Sequence, residues 1–157
     1  MTGRIVVGVD GSADSRAALR WAIHQAEMTG SAVEVVCAWE HAQRTAWTLL
    51  PTNYGTVPVP FPPERNDERN WAEETIAEVM SEVAGPNPVV PVTAHPVLGH
   101  PSRALLDAAK GADLLVLGRR GYGGFVGLRL GSISRHCVEH APCGVVVIAA
   151  EPEESTE

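Results

Sequence analysis

The chain lacks any apolar run long enough to cross a bilayer, and its opening residues, MTGRIVVGVDGS, lack the apolar core and cleavage site of a secretory leader. A cytoplasmic protein with no membrane partner is the expectation. Positive charge is short: Lys and Arg number 12 against 19 Asp and Glu, a formal charge of -7. That opposes a general nucleic-acid-binding surface while leaving room for a small basic pocket. Cysteine is scarce as well. Cys37, Cys137 and Cys143 are an odd, widely spaced trio in a chain large enough to fold without disulfides, so reduced thiols are expected and redox sensing is the weaker reading.

Several catalytic signatures are missing too. Gly131-Ser132 has no lysine before it, which excludes a Walker A loop, and the first strand ends in GVDGS rather than GxGxxG, which disfavours a hydride-transfer enzyme. There is no GxSxG elbow to make Ser132 a nucleophile. His136 and His140 share a helical face, yet no HExxH glutamate or paired cysteine cluster accompanies them, so a structural or exposed role is expected. No general base is identifiable.

What is present is an alternation of apolar runs and helical patterns in 157 residues, a length that suits one domain over 1–150 with a mobile acidic tail over 151–157. Arg4 to Val9 reads as a strand ending at Asp10, Gly11 and Ser12, where Ser12 can cap a helix and Asp10 sits at the carboxyl end of the strand. Ala18, Leu19, Ala22, Ile23 and Ala26 then recur at helical spacing as far as Gly30. Val33 to Trp39 is the second strand. Residues 41–66 break periodicity with five prolines and read as an insertion without regular structure, although Trp47, Leu49, Leu50, Tyr54 and Phe61 argue that part of it packs down.

A helix restarts near Asp67 and carries Trp71, Ile76, Val79 and Val83. Val89 to Val97 is the third strand, and Pro91 favours an edge or a strand start. The third helix follows with Ser102 as its cap or Pro101 in its first turn. Leu114 to Leu117 and Val145 to Ile148 lack polar alternation, as strands covered on both faces do. The fold class is α/β, a parallel sheet with helices on both faces.

Between the last two strands runs a glycine-studded connection: Gly118, Gly121, Gly123, Gly124, Gly127, then Gly131 and Ser132 at a helix start. Glycine lets backbone amides turn toward a ligand, and a helix start offers further unpaired donors to an anion. The chemistry points to phosphate. Arg119, Arg120 and Arg129 are available to counter its charge.

The spacing of Gly118, Gly121, Gly131 and Ser132 resembles the signature of the universal stress protein family in its ATP-binding, single-domain form. The IVVGVDGS opening, the GHPSRALLDAAKGADLLVLGRRG segment and the HAPCGVVVI ending resemble that family in the same order. Gly144 departs from it, standing where relatives often carry proline. The resemblance implies a Rossmann-like open twisted sheet of five parallel strands in the order 3-2-1-4-5. It also implies an ATP site in which Gly118, Gly121, Gly131 and Ser132 line ribose and phosphates, with Ile133 in reach through its backbone. Ala38 would flank adenine by its backbone, Asp10 would approach a ribose hydroxyl or Mg2+, and Arg119 would counter phosphate. Trp39 could pack on the base or lie buried beneath the insertion. Magnesium would enter only with ATP.

The resemblance further implies a homodimer made by pairing the Val145 to Ile148 strand with its copy, which would cover an apolar edge. The functional expectation is a stress-response protein whose nucleotide occupancy sets conformation, assembly or partner binding, with at most slow ATP hydrolysis. The alternative is a nucleotide-independent interaction module with a vestigial site. A nucleotide-dependent transferase or hydrolase is a third reading.

Overall fold

The computed structural model describes residues 3–40, 46–61, 67–121 and 130–151. Its elements are β1 (Arg4–Gly8), α1 (Ala13–Thr29), β2 (Ala32–Trp39), β3 (Ala46–Thr52), β4 (Gly55–Phe61), α2 (Asp67–Val83), β5 (Val92–Leu98), α3 (Pro101–Ala108), β6 (Leu114–Gly118), α4 (Ser132–His140) and β7 (Gly144–Ile148). The main sheet runs β5-β2-β1-β6-β7 with every pairing parallel. Counted along that sheet alone, this is the expected order 3-2-1-4-5.

The missing polar alternation now has its cause, because neighbouring residues of one strand serve two different cores. Ile5 and Val7 pack with Leu19 and Ala22 of α1 and Ile76 and Val79 of α2, whereas Val6 turns to the other face, with Leu105 of α3 and Cys137 of α4. Both faces are therefore dry. Each fully buried aliphatic side chain contributes about 1.5–3 kcal/mol on transfer from water. At the amino ends of the strands Arg4 pins the layers: its guanidinium donates to Glu34 at 2.8 Å and to the carbonyls of Ala108 and Lys110.

The helix boundaries follow local chemistry. Ser12 caps α1 by accepting from the Ser15 amide, and Gly30, at a φ of 71°, closes it. For α3, Pro101 occupies the first turn and the cap is His100, whose Nδ1 accepts from the Ser102 amide at 3.3 Å. Ser102 is not the cap. Pro91 precedes β5, an edge strand that itself contains Pro96, as a residue without an amide donor requires.

The reading of 41–66 as irregular needs correction. Residues 46–61 form an antiparallel ribbon, β3 against β4, with Leu49 opposite Pro58 and Trp47 opposite Pro60. A two-stranded ribbon leaves each strand one free edge, so a proline nitrogen can face outward without costing a ladder bond. Tyr54, expected to pack down, sits at the turn and is fully exposed. The side chains of Trp47, Leu49, Leu50 and Phe61 lie outside the described residues, as do Gly123, Gly124, Gly127, Arg129 and the tail over 152–157.

All three thiols are free. Burial, with a smaller contribution from Asp10, pushes Cys37 up to about 12 from an ordinary 9.0, and burial pushes Cys137 up to about 11. Cys143, at intermediate exposure, is also raised, mainly by burial. A raised thiol contributes stability that is complete below pH 9 and is lost as pH climbs toward the folded value. The melting temperature should therefore fall more steeply from pH 9 to 11 in the parent than in Cys37→Ala; parallel pH profiles would contradict the assignment.

Candidate functional site

From β1 the chain turns into α1 on one face, and from β6 it turns into α4 on the other. Strand order reverses between β1 and β6, so their diverging carboxyl ends leave a crevice. A cleft of about 490 Å3 occupies it. That size suits a small organic ligand.

Asp10, Ala38, Gly118, Gly121, Gly131, Ser132 and Ile133 all line this cleft. Arg119 does not. Its amide donates to Ile148 at 2.7 Å, continuing the β6–β7 ladder, and its Nε is buried without a hydrogen-bond partner. Arg120, the next residue, lines the cleft, together with Arg135 of α4. Trp39 is likewise absent from the lining and packs against the core under α1 and α2. Among the described residues, the tryptophan that reaches the cleft is Trp71.

The glycines have distinct tasks. A Cβ at Gly118 would come within 2.8 Å of the Asp14 carbonyl carbon and 2.9 Å of the Ser15 amide nitrogen, so the end of β6 lies directly on the first turn of α1. A Cβ at Gly121 would strike the Asp10 carboxylate, whereas at Gly131 it would stand 3.4 Å from the Arg119 carbonyl oxygen. Gly118→Ala should therefore cost about 1–3 kcal/mol by overpacking, and Gly131→Ala much less. Urea denaturation of the two variants checks this order.

Asp10 accepts from the Ser12 amide at 2.9 Å, and its own amide donates to Ser15 Oγ. This turn aims its carboxylate at Gly121. The first turn of α4 is arranged differently from those of α1 and α3. Its N-cap is Gly131, which offers no side-chain hydrogen bond. The amides of that turn thus open on the cleft beside two arginines, a donor set that suits an anion. Ser134 Oγ donates to the Gly118 carbonyl at 2.7 Å and straps α4 to the end of β6.

One residue of the site escaped the sequence reading. Asp14 accepts from the Arg120 amide at 3.0 Å with one carboxylate oxygen and from the Ala150 amide at 2.9 Å with the other. It thereby holds the exits of β6 and β7 together. The local signal was an acid in the first turn of α1; its partners, more than a hundred residues away, left none.

Among the described residues no group of three His, Cys, Asp or Glu side chains could hold a metal ion. His136 and His140 are exposed and stacked, with ring centroids 4.2 Å apart. A second, smaller cleft of about 380 Å3 lies between β5 and α3, lined in part by His95, His100 and Arg103. No helix among the described residues is long and apolar enough to cross a membrane.

Fold and cleft together define an open, doubly wound α/β domain with a crevice where its strand order reverses. Comparison supplies the family: the universal stress protein model matches residues 1–149, and the chain belongs to that family. Universal stress protein Rv2623 of Mycobacterium tuberculosis is 32% identical over 158 residues, covering 94% of this chain and 48% of the relative. The chain thus spans about half of that relative's length. Among solved structures, the UspA protein of Lactobacillus plantarum superimposes with a TM-score of 0.71 at 22% identity, covering 93% of this chain and 97% of the other. A universal stress protein from Archaeoglobus fulgidus in complex with dAMP gives a TM-score of 0.64 at 21% identity, with coverage of 94% and 98%.

Proposed function

We propose that this chain is a nucleotide-binding stress-response module that takes ATP in the β1–β6 cleft and uses occupancy to set its assembly or partner binding. The observation that carries the reading is the convergence of the uncapped α4 amides, Arg120, Arg135 and the backbone at Gly121 and Gly131 on one cleft. The dAMP complex of a fold relative supports a nucleotide as the anion.

In this reading Gly131, Ser132 and the α4 amides hold phosphates, Asp10 holds a ribose hydroxyl or a water of phosphate-bound Mg2+, and Ala38 borders the base. Arg120 takes the role first expected of Arg119. Bound ATP supplies a transferable phosphoryl group, yet among the described residues no side chain in the cleft is placed as a nucleophile with a base beside it. Occupancy rather than turnover is the useful output, and hydrolysis is slow.

Calorimetry of nucleotide-stripped protein with ATP, with and without Mg2+, tests the reading. Saturation near one ATP per chain supports it; no heat from folded protein sinks it and favours the nucleotide-independent interaction module.

Assembly would use β7, the edge of the sheet beside β6, whose residues 145–148 are only partly buried in the single chain. Pairing with a second copy would cover that edge. Val147→Lys should shift sedimentation toward monomer at micromolar concentration, and an unchanged parent dimer would exclude this edge.

A further inference from the structure

We propose that Trp71 stacks on the base of the bound nucleotide and so makes the site select planar aromatic rings over plain polyphosphates. The inference rests on the nucleotide reading above and adds to it a residue on α2, an element that the glycine signature does not include.

Trp71 is 44% exposed, although an indole is the largest apolar side chain a protein can bury. Among the described residues the other large hydrophobics exposed to that degree, including Met28, Val89 and Val138, lie outside this cleft. Among the described residues, the rest of its apolar lining is aliphatic, with Val9, Val36, Ala38, Leu105 and Leu117. Among the described residues that line the cleft, Trp71 is therefore the one aromatic ring, and its face is left open.

The placement follows from helix geometry. Glu78 and Glu82 of α2 pair with Arg16, near the start of α1, at 3.3 Å and 2.7 Å. Trp71 is seven residues before Glu78 and so projects from the same face of α2, two turns or about 10 Å nearer its start. Because α1 has barely begun at Arg16, this carries the indole past the α1 terminus and over the carboxyl ends of the strands. α2 packs on β2, the strand that ends at Ala38 and Trp39.

The anion-binding end of the cleft belongs to β6 and α4. Since β1 separates β2 from β6, the two ends are two strand spacings apart, about 10 Å. An aromatic group at one end and anion donors at the other match a ligand that carries a ring and a phosphate chain at its two extremities.

The test compares ATP with inorganic tripolyphosphate on the parent, Trp71→Leu and Trp71→Phe, using calorimetry and tryptophan emission. Trp71→Leu should weaken ATP about tenfold, the size of one stacking contact, leave tripolyphosphate affinity unchanged and abolish most of the ATP-induced quenching. Trp71→Phe should recover most of the ATP affinity. Urea midpoints near the parent value, expected for an exposed site, establish that the variants are folded. Equal ATP affinity in the parent and Trp71→Leu, or a parallel loss of tripolyphosphate, overturns the stacking role while leaving the nucleotide site standing. A parent that binds neither ligand overturns both.

Discussion

Replacing Ser132 with glutamate should abolish most ATP binding and leave the fold intact. Ser132 is exposed, opens α4 and lines the cleft. A carboxylate in the first helical turn is favourable to the helix by about 0.3–1 kcal/mol, so the melting temperature should hold or rise slightly. The same carboxylate about 5 Å from a phosphate charge costs about 3 kcal/mol at an effective dielectric of about 20, roughly a hundredfold in affinity. Stability and binding thus move independently, which a general structural defect cannot produce. Ser132→Ala, losing one hydroxyl, should cost only a few-fold. Unchanged ATP affinity in Ser132→Glu would place the phosphates away from α4.

Asp14→Ala should be the most destabilising exchange among the cleft's supporting polar residues. Its carboxylate serves two backbone donors, Arg120 and Ala150, that stand at the ends of neighbouring strands. Hydrogen bonds to a charged group contribute about 1.5–3 kcal/mol each, and partial exposure lowers the pair to about 3 kcal/mol. Asp14→Asn keeps one carbonyl acceptor but turns an amide donor toward the other backbone N–H, so it should recover at most half of the loss. Hydrogen exchange gives the local signature: protection should fall at Arg120 and Ala150 before it falls in β1. A loss below about 0.5 kcal/mol with protection unchanged would mean that solvent replaces the carboxylate at no cost.

Because Ala150 follows β7 and Arg120 opens the glycine connection, Asp14 also joins the proposed assembly edge to the proposed ligand cleft. Asp14→Ala should weaken ATP binding indirectly, through misplacement of Arg120.

The centre of the main sheet was legible because β1 and β6 show the same physical signature. Residues such as Val6 and Val7 face different cores, so both must be apolar, and a short uninterrupted run marks a strand covered on two sides. Residues 46–61 hid their ribbon for the opposite reason. Prolines that would break an interior strand are harmless where every strand has a free edge, and sequence does not announce how many neighbours a strand will have.

The cleft was legible where backbone determines it and obscure where side-chain direction does. Gly118 and Gly121 occupy places where close approach leaves no room for a side chain, whereas a Cβ at Gly131 would meet only ordinary contacts. Arg119 and Arg120 are chemically equivalent neighbours, and only the ladder bond from the Arg119 amide to Ile148 decides which one turns to the cleft. Trp39, which follows Ala38 directly, was open to either packing on a base or burial; it packs on the core, and the helix that starts far along the chain brings Trp71 to the cleft. His100 was passed over as a cap because serine is the commoner choice.

The most direct test of the central claim is an ATP titration followed by backbone amide resonances. The account predicts that the amides of Gly121, Gly131, Ser132 and Ile133 shift together and saturate with one dissociation constant, while those of Val97, His100 and Arg103 in the β5–α3 cleft stay in place. Saturable shifts confined to the β5–α3 cleft, or none anywhere at millimolar ATP, would contradict it.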